Sequence, residues 1–511
     1  MSNQENSKRI VKNTMFLYIR MLLTLVISLY TSRVVLNTLG IEDFGIYNVV
    51  GGIIIMVGFL NNSMSSATQR FLSFELGKKD FHQLSRVFSM SVNIHFTLGL
   101  IILVLAETIG LWALNTQLNI PYDRISAANW VYQFSVMTFI VSMITVPYHA
   151  VIIANEKMNV YAWVSVLEII LKLLIVFMLY WFEFDKLKLY AVLGFVVTLI
   201  ISLTYVTYTS INFPERKYRF FWDKSLFNTL KNYGGWNLFG SIAGVASGQG
   251  INFMLNIFYG PSINAARGIA YQVQGAVNGF VSNFQMAMNP QIIKSFAVKD
   301  IKYMHQLIFQ GAKFSYFLLF ILSLPILLET EMILQLWLKI VPEYTIIFTQ
   351  LILINILIDS ISGPLITAAQ ASGKIKLYQS VVGGLLLLIV PISYLFLILD
   401  FKPQVTLYIS ISVSIVALFT RLKIISRLVK LSSIDFIKNV VFQIVLVSII
   451  AIILPLSIQY FLPQNFCRLI IISFTTLISV IFTIYIIGLN LNEQIFIKEK
   501  ARQFYSIYKN G

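Results

Sequence analysis

Apolar residues run through this chain in long unbroken stretches such as "LIILVLAETIGLWAL" and "VLVSIIAIILPLSI". A barrel strand would alternate apolar and polar at every second position. These runs do not, and a helix needs about 20 mostly apolar residues to cross a bilayer. Fourteen segments meet that requirement: 14–36, 46–68, 88–113, 126–153, 159–181, 187–209, 234–258, 264–288, 309–328, 346–370, 377–398, 404–426, 439–461 and 467–489. They are numbered spans 1–14 below. Loops between them are short, the longest lying around 210–233. The pattern predicts an all-α polytopic membrane protein of about 14 transmembrane helices.

Composition narrows the class. The 511 residues are 57% hydrophobic and 12% charged, against roughly 45–50% and about 25% in soluble domains. About half of any folded surface stays exposed, so a water-soluble globule has no room for that excess. Soluble enzymes, fibres and disordered chains are excluded. One cysteine, Cys467, rules out a disulfide framework, and His82, His95, His149 and His305 lack metal-ligand spacing, so no metal site or cofactor is expected. The net charge of +16 is explained by its distribution. With the N-terminus in the cytoplasm, 27 Lys and Arg fall on that side and six on the other, an asymmetry that orients both termini to the inside. Nucleic acid is not needed as a partner. The polar N-terminal segment followed by a long apolar stretch reads as a retained first span.

The chain also repeats itself. Pro147, Ala154, Lys157 and Tyr161 recur as Pro364, Ala371, Lys374 and Tyr378 at an offset of 217. Gly40, Ala67 and Lys79-Asp80 recur as Gly260, Ala287 and Lys299-Asp300 at 220. The offset pairs odd spans with odd spans, so the halves share one orientation and form two parallel six-helix lobes. The expected organisation is an N-lobe over 1–209, a cytoplasmic linker over 210–233, a C-lobe over 234–430, and spans 13 and 14 with a cytoplasmic tail over 431–511.

Polar groups at membrane depth need a reason, since a charge there costs about 2.5–3.5 kcal/mol even on a lenient scale. On span 8, Arg267, Tyr271, Gln274, Asn278, Ser282 and Gln285 follow helical steps and form one polar face. Such a face meets protein or water, so it serves either interhelical hydrogen bonding or a water-filled cavity. Span 1 carries Arg20, Thr24, Ser28 and Thr31, and span 7 adds Asn252 among its glycines. Glu168 and Lys172, one turn apart on span 5, form either a structural pair or part of an ion-coupling site. Asp359, near the middle of span 10 with no partner evident in sequence, is a candidate H⁺ or Na⁺ site, with a buried arginine partner as the alternative. Lys313 lies near a span end, where snorkelling explains it. His95 and His149 read as hydrogen-bonded helix residues.

These features resemble a known family. The opening "NTMFLYIRMLLTLVISLYTSRVVLNTLGIEDFGIYNVV", with Leu39-Gly40 and Asp43-Phe44-Gly45 after the first span, is similar to polysaccharide and lipid-linked-oligosaccharide flippases. So are "SSATQRFLSFELGKKD" and "ANEK" at 154–157. This group, which includes O-antigen and capsule translocases, belongs to the multidrug/oligosaccharidyl-lipid/polysaccharide exporter superfamily. The resemblance implies a MATE-like pair of lobes alternating access across the bacterial inner membrane, with a polyprenyl-diphosphate-linked oligosaccharide as cargo for surface polysaccharide or lipopolysaccharide biosynthesis. It implies that Arg20 and Arg267 meet the diphosphate and that spans 13 and 14 shelter the lipid tail. It also implies a polysaccharide polymerase and a chain-length regulator as partners. An organic-cation multidrug antiporter of the same fold, or a peptidoglycan lipid-precursor flippase, is the alternative. A membrane polysaccharide polymerase is remote, because no clustered acid/base groups appear outside the spans.

Overall fold

The computed structural model describes residues 3–55, 58–116, 120–213, 218–338, 341–491 and 493–495. The expected tail beyond residue 495 and positions 214–217 of the linker lie outside the described residues. Among the described residues every regular element is helical, in α, 3₁₀ or π form. Twelve helices there are long and apolar enough to cross a membrane. Of the other two expected spans, 8 lies in the helix Pro261–Ala297, while 2 (46–68) is divided between the end of the helix Asn3–Ile55 and the start of Gly58–Lys78. Gly58–Lys78 and Pro261–Ala297 are too polar to count among the twelve. Asn61, Asn62, Ser63, Ser65 and Ser66 crowd the first, and the Arg267 stripe runs down the second. A helix facing protein or water need not be apolar. Elsewhere apolar side chains such as Val104, Leu395, Ile453 and Phe474 are more than half exposed, as lipid-facing positions require.

The internal repeat reaches the backbone. Gly40 (φ 81°) and Gly260 (φ 78°) hold matching left-handed positions, and Gly40 breaks the helix Asn3–Ile55. Lys79 (φ 60°) and Lys299 (φ 61°) end spans 2 and 8, and Asp80 and Asp300 then cap the next helices through Gln83 N–H and Tyr303 N–H. Glu156 (φ 60°) pairs with Gly373 (φ 73°) after spans 4 and 10. Each element is thus terminated by the same device at the two offsets that the sequence shows.

By contacts the chain divides into two compact units: Met1–Ile242 with Met286–Met304 and Gln370–Ser380, and Ala243–Gln285 with His305–Ala369 and Val381–Gly511. In the first, Phe71, Leu72, Phe88, Met90, Ala150, Tyr233 and Ile375 share one core. The ends of spans 8 and 10 are fastened there by polar contacts. The Glu156 carboxylate, fully buried, takes Arg9 Nε at 2.7 Å, Lys294 Nζ at 2.5 Å and Gln291 Nε2 at 2.5 Å. Arg70, 6% exposed, donates to the carbonyls of Gln370 and Ala371 at 2.9 Å each. Gly77 lets span 2 approach closely: a Cβ there would lie 2.8 Å from Ala297 Cβ and 2.9 Å from Lys294 Cα. Arg70 is therefore a buried structural cation.

In the second unit Val277, Val281, Leu319, Phe320 and Leu353 pack with Ala451 and Val480, so spans 13 and 14 share a core with spans 8–10. Polar ties reinforce this. Lys313 Nζ meets Glu493 at 2.7 Å, and Arg468 Nε meets Glu329 at 3.0 Å. The snorkelling read for Lys313 is overturned: it is 4% exposed and ion-paired, because the chain after span 14 brings a carboxylate back to span 9.

Candidate functional site

Several polar residues predicted from sequence meet inside the first unit. A cavity of about 380 Å³ is lined by Arg20, Thr24, Ser28 and Thr31 of span 1, Glu168 and Lys172 of span 5, and His149, Tyr161, Ser165 and Tyr205. The Arg20 guanidinium lies over the Tyr161 ring, 4.7 Å from its centre. That tyrosine belongs to the repeated motif, and a ring face attracts a cation without neutralising it. Glu168 and Lys172 pair at 2.6 Å. Thr24, Ser28 and Thr31 spend their hydroxyl hydrogens on carbonyls three or four residues back, which leaves oxygen lone pairs as their offer to the cavity. Among the described lining residues, two cations and one carboxylate share the cavity. His149 is not tied by a side-chain hydrogen bond as expected. It packs between the rings of Tyr161 and Tyr205, 4.7 and 5.4 Å away.

The second arginine sits in the second unit. Arg267 is 5% exposed, lies 4.7 Å from the Tyr271 ring centre and donates Nη2 to the Tyr271 hydroxyl at 3.1 Å. Its buried Nε has no hydrogen-bond partner, and no carboxylate pairs with it among the described residues. Gln274, Asn278 and Asn252 are half-buried, with Asn252 Nδ2 3.5 Å from Gln249 Oε1. The far end of the stripe is spent on packing: Gln285 donates to Ser315 Oγ at 3.0 Å and to the Ser360 carbonyl at 3.2 Å.

Asp359 closes the helix Thr345–Ser360, just before span 10 breaks at Ile361–Ser362. Its carboxylate lies 3.9 Å from Arg421 Nη1 and accepts from Asn355 Nδ2 at 3.2 Å. Arg421 donates to Ser362 Oγ at 2.8 Å. The partner that sequence left open is therefore a buried arginine of span 12, 7% exposed. Its position inside 404–426 was the available signal. Both deep carboxylates, Glu168 and Asp359, thus face a cation of their own unit. No group of three or more His, Cys, Asp or Glu able to hold a metal occurs among the described residues.

A family model for polysaccharide biosynthesis proteins matches residues 10–296, more than half of the chain. The chain belongs to that family. No curated protein matches it. Among solved structures it is similar to an outward-facing multidrug resistance MATE transporter of the MOP superfamily, at 13% identity over 83% of this chain and 96% of that one, with a TM-score of 0.69. It is likewise similar to a MATE protein in complex with MaD3S, at 14% over 83% and 97% with a TM-score of 0.70. A MOP superfamily transporter from Pyrococcus furiosus, whose reversed pocket polarity suggests a different function, matches at 13% over 82% and 96% with a TM-score of 0.65. The chain shares the MATE-like fold of these structures, and its twelve long apolar helices among the described residues mark a multi-pass membrane protein.

Proposed function

We propose that this protein is a transporter of the MOP superfamily, an alternating-access flippase that carries a polyprenyl-diphosphate-linked oligosaccharide across the bacterial inner membrane for surface polysaccharide biosynthesis. The repeats 1–209 and 234–430 act as its two lobes, with H⁺ or Na⁺ as the coupling ion. The observation that carries the reading is Arg267. It is a buried guanidinium whose partner is a neutral phenol, and its Nε–H remains unfilled. A guanidinium keeps its charge when desolvated and grips two phosphate oxygens at once. Arg20, held over Tyr161, supplies a second guanidinium. A diphosphate is common to lipid-linked glycans whatever their sugars.

The multidrug reading fits less well. An organic cation needs a free carboxylate, and Glu168 and Asp359 already face Lys172 and Arg421.

Binding of lipid-linked glycan to folded, membrane-inserted variants tests the proposal. Charge-assisted hydrogen bonds contribute about 1.5–3 kcal/mol each, so the Arg20→Ala, Arg267→Ala double variant should bind at least tenfold more weakly. Arg267→Lys should fall between wild type and Arg267→Ala. Undiminished affinity in the double variant overturns the clamp.

A further inference from the structure

The first unit holds a second, larger cavity of about 590 Å³, within the roughly 300–1,000 Å³ typical of small-molecule sites. Its wall differs in kind from that of the Arg20 cavity. Amide and hydroxyl groups come from Asn61, Asn62, Ser135, Thr138, Ser142 and Thr198, and rings come from Phe44, Tyr47, Phe134, Phe139 and Tyr190. Among the described residues no carboxylate lines it. The Tyr47 and Tyr190 rings meet edge to face with centres 4.8 Å apart. The two cavities abut, since Thr31 and Lys172 line both.

We infer that this cavity is a carbohydrate subsite, which takes the neutral, hydroxyl-rich part of the cargo whose anionic link lies at Arg20. The inference rests on the diphosphate reading above. Sugar hydroxyls both donate and accept, and their C–H faces lie against aromatic rings, so a matching wall needs oxygen acceptors, amides and rings. The charged lining residue Lys172 is already paired with Glu168 at 2.6 Å. Here Thr138 and Thr198 give their hydrogens to the carbonyls of Phe134 and Gly194 at 2.7 and 3.1 Å, which leaves acceptor lone pairs on both. Asn61 adds a buried Oδ1 with no hydrogen-bond partner. Such an oxygen costs free energy until a donor fills it. A hydrocarbon tail would leave all of these groups unmatched, and an organic cation would find no carboxylate.

Gly194 allows a selective test. It lines the cavity, and a Cβ built on it meets nothing within 4 Å. Gly194→Leu therefore fills the space without a clash at Cβ, and leucine is a better helix former than glycine. The probes are undecaprenyl diphosphate, bare and carrying a hexose–N-acetylhexosamine disaccharide, measured against wild type, Gly194→Leu and Arg20→Ala in lipid nanodiscs. We expect Gly194→Leu to weaken the glycosylated probe at least tenfold and to leave the bare lipid unchanged, while Arg20→Ala weakens both. Asn61→Ala should weaken the glycosylated probe alone. If Gly194→Leu binds the glycosylated probe as wild type does, or weakens both probes equally, the subsite is overturned while the diphosphate reading stands. If Arg20→Ala changes neither probe, or wild type binds neither, the diphosphate reading fails and the subsite falls with it.

Discussion

At the scale of single residues, Asp359 is the group we propose couples an ion to movement. It sits where span 10 loses its helical bonding, and a single guanidinium, Arg421, balances it at 3.9 Å. A proton or Na⁺ on that carboxylate would release Arg421 to its other partner, Ser362, and so favour one arrangement over another. Asp359→Asn keeps the shape and removes the titration. Transport by this variant should lose its dependence on pH or Na⁺ gradients in proteoliposomes, and retained dependence places coupling elsewhere, with Glu168 and Lys172 next to test. Glu156 is the opposite kind of acid. Its carboxylate is sealed between Arg9, Lys294 and Gln291 on a residue held at φ 60°. Glu156→Gln removes the counter-charge those cations share, and breaking a buried pair costs about 3–5 kcal/mol. A clear loss of thermal stability in detergent is expected, and an unchanged melting temperature would show that the node contributes nothing.

At the scale of elements, helix ends carry much of the specification. The loops before spans 4 and 6 are tied together by Arg124, which donates to Asp43 through Nε at 2.8 Å and to Asp185 through Nη1 at 3.0 Å. Asp185 also caps its own helix through the N–H groups of Leu187 and Lys188. Burial pushes the Asp185 carboxyl up, but the Lys188 N–H and the Arg124 charge outweigh it and hold the group below the ordinary carboxylate range. A carboxyl depressed on folding stabilises the fold fully above its unfolded value of about 4 and loses that contribution as pH falls toward the folded value. Arg124→Ala should therefore cost about 1–2 kcal/mol at neutral pH, between exposed and buried pairs. The difference from wild type should shrink below pH 4, as acid-unfolding curves would show. The Asp43 end of this tie was visible in the sequence as part of a family-like motif. Its partners were not, because they lie 81 and 142 residues away.

At the scale of the whole molecule, the charge asymmetry predicts that both termini face the cytoplasm. Reporter fusions after residue 220 and at residue 511 should both read cytoplasmic, and a periplasmic reading at either would reverse or shift the map. Much of the architecture was legible in one dimension. Apolar run length determined that the chain is helical and crosses the membrane many times, since a backbone in hydrocarbon has to satisfy its own hydrogen bonds. The two offsets determined the repeat, because equal helix ends need equal terminators, and Gly40/Gly260 and Lys79/Lys299 provide them. Helical spacing likewise exposed the stripes that carry Arg20 and Arg267. Tertiary structure decided which charges those stripes and spans meet. Arg421 beside Asp359, Glu493 beside Lys313 and Lys294 beside Glu156 join helices separated by dozens to hundreds of residues. No local period encodes such pairings, and in a low-dielectric interior the identity of the nearest opposite charge separates a structural cation from one left to hold cargo.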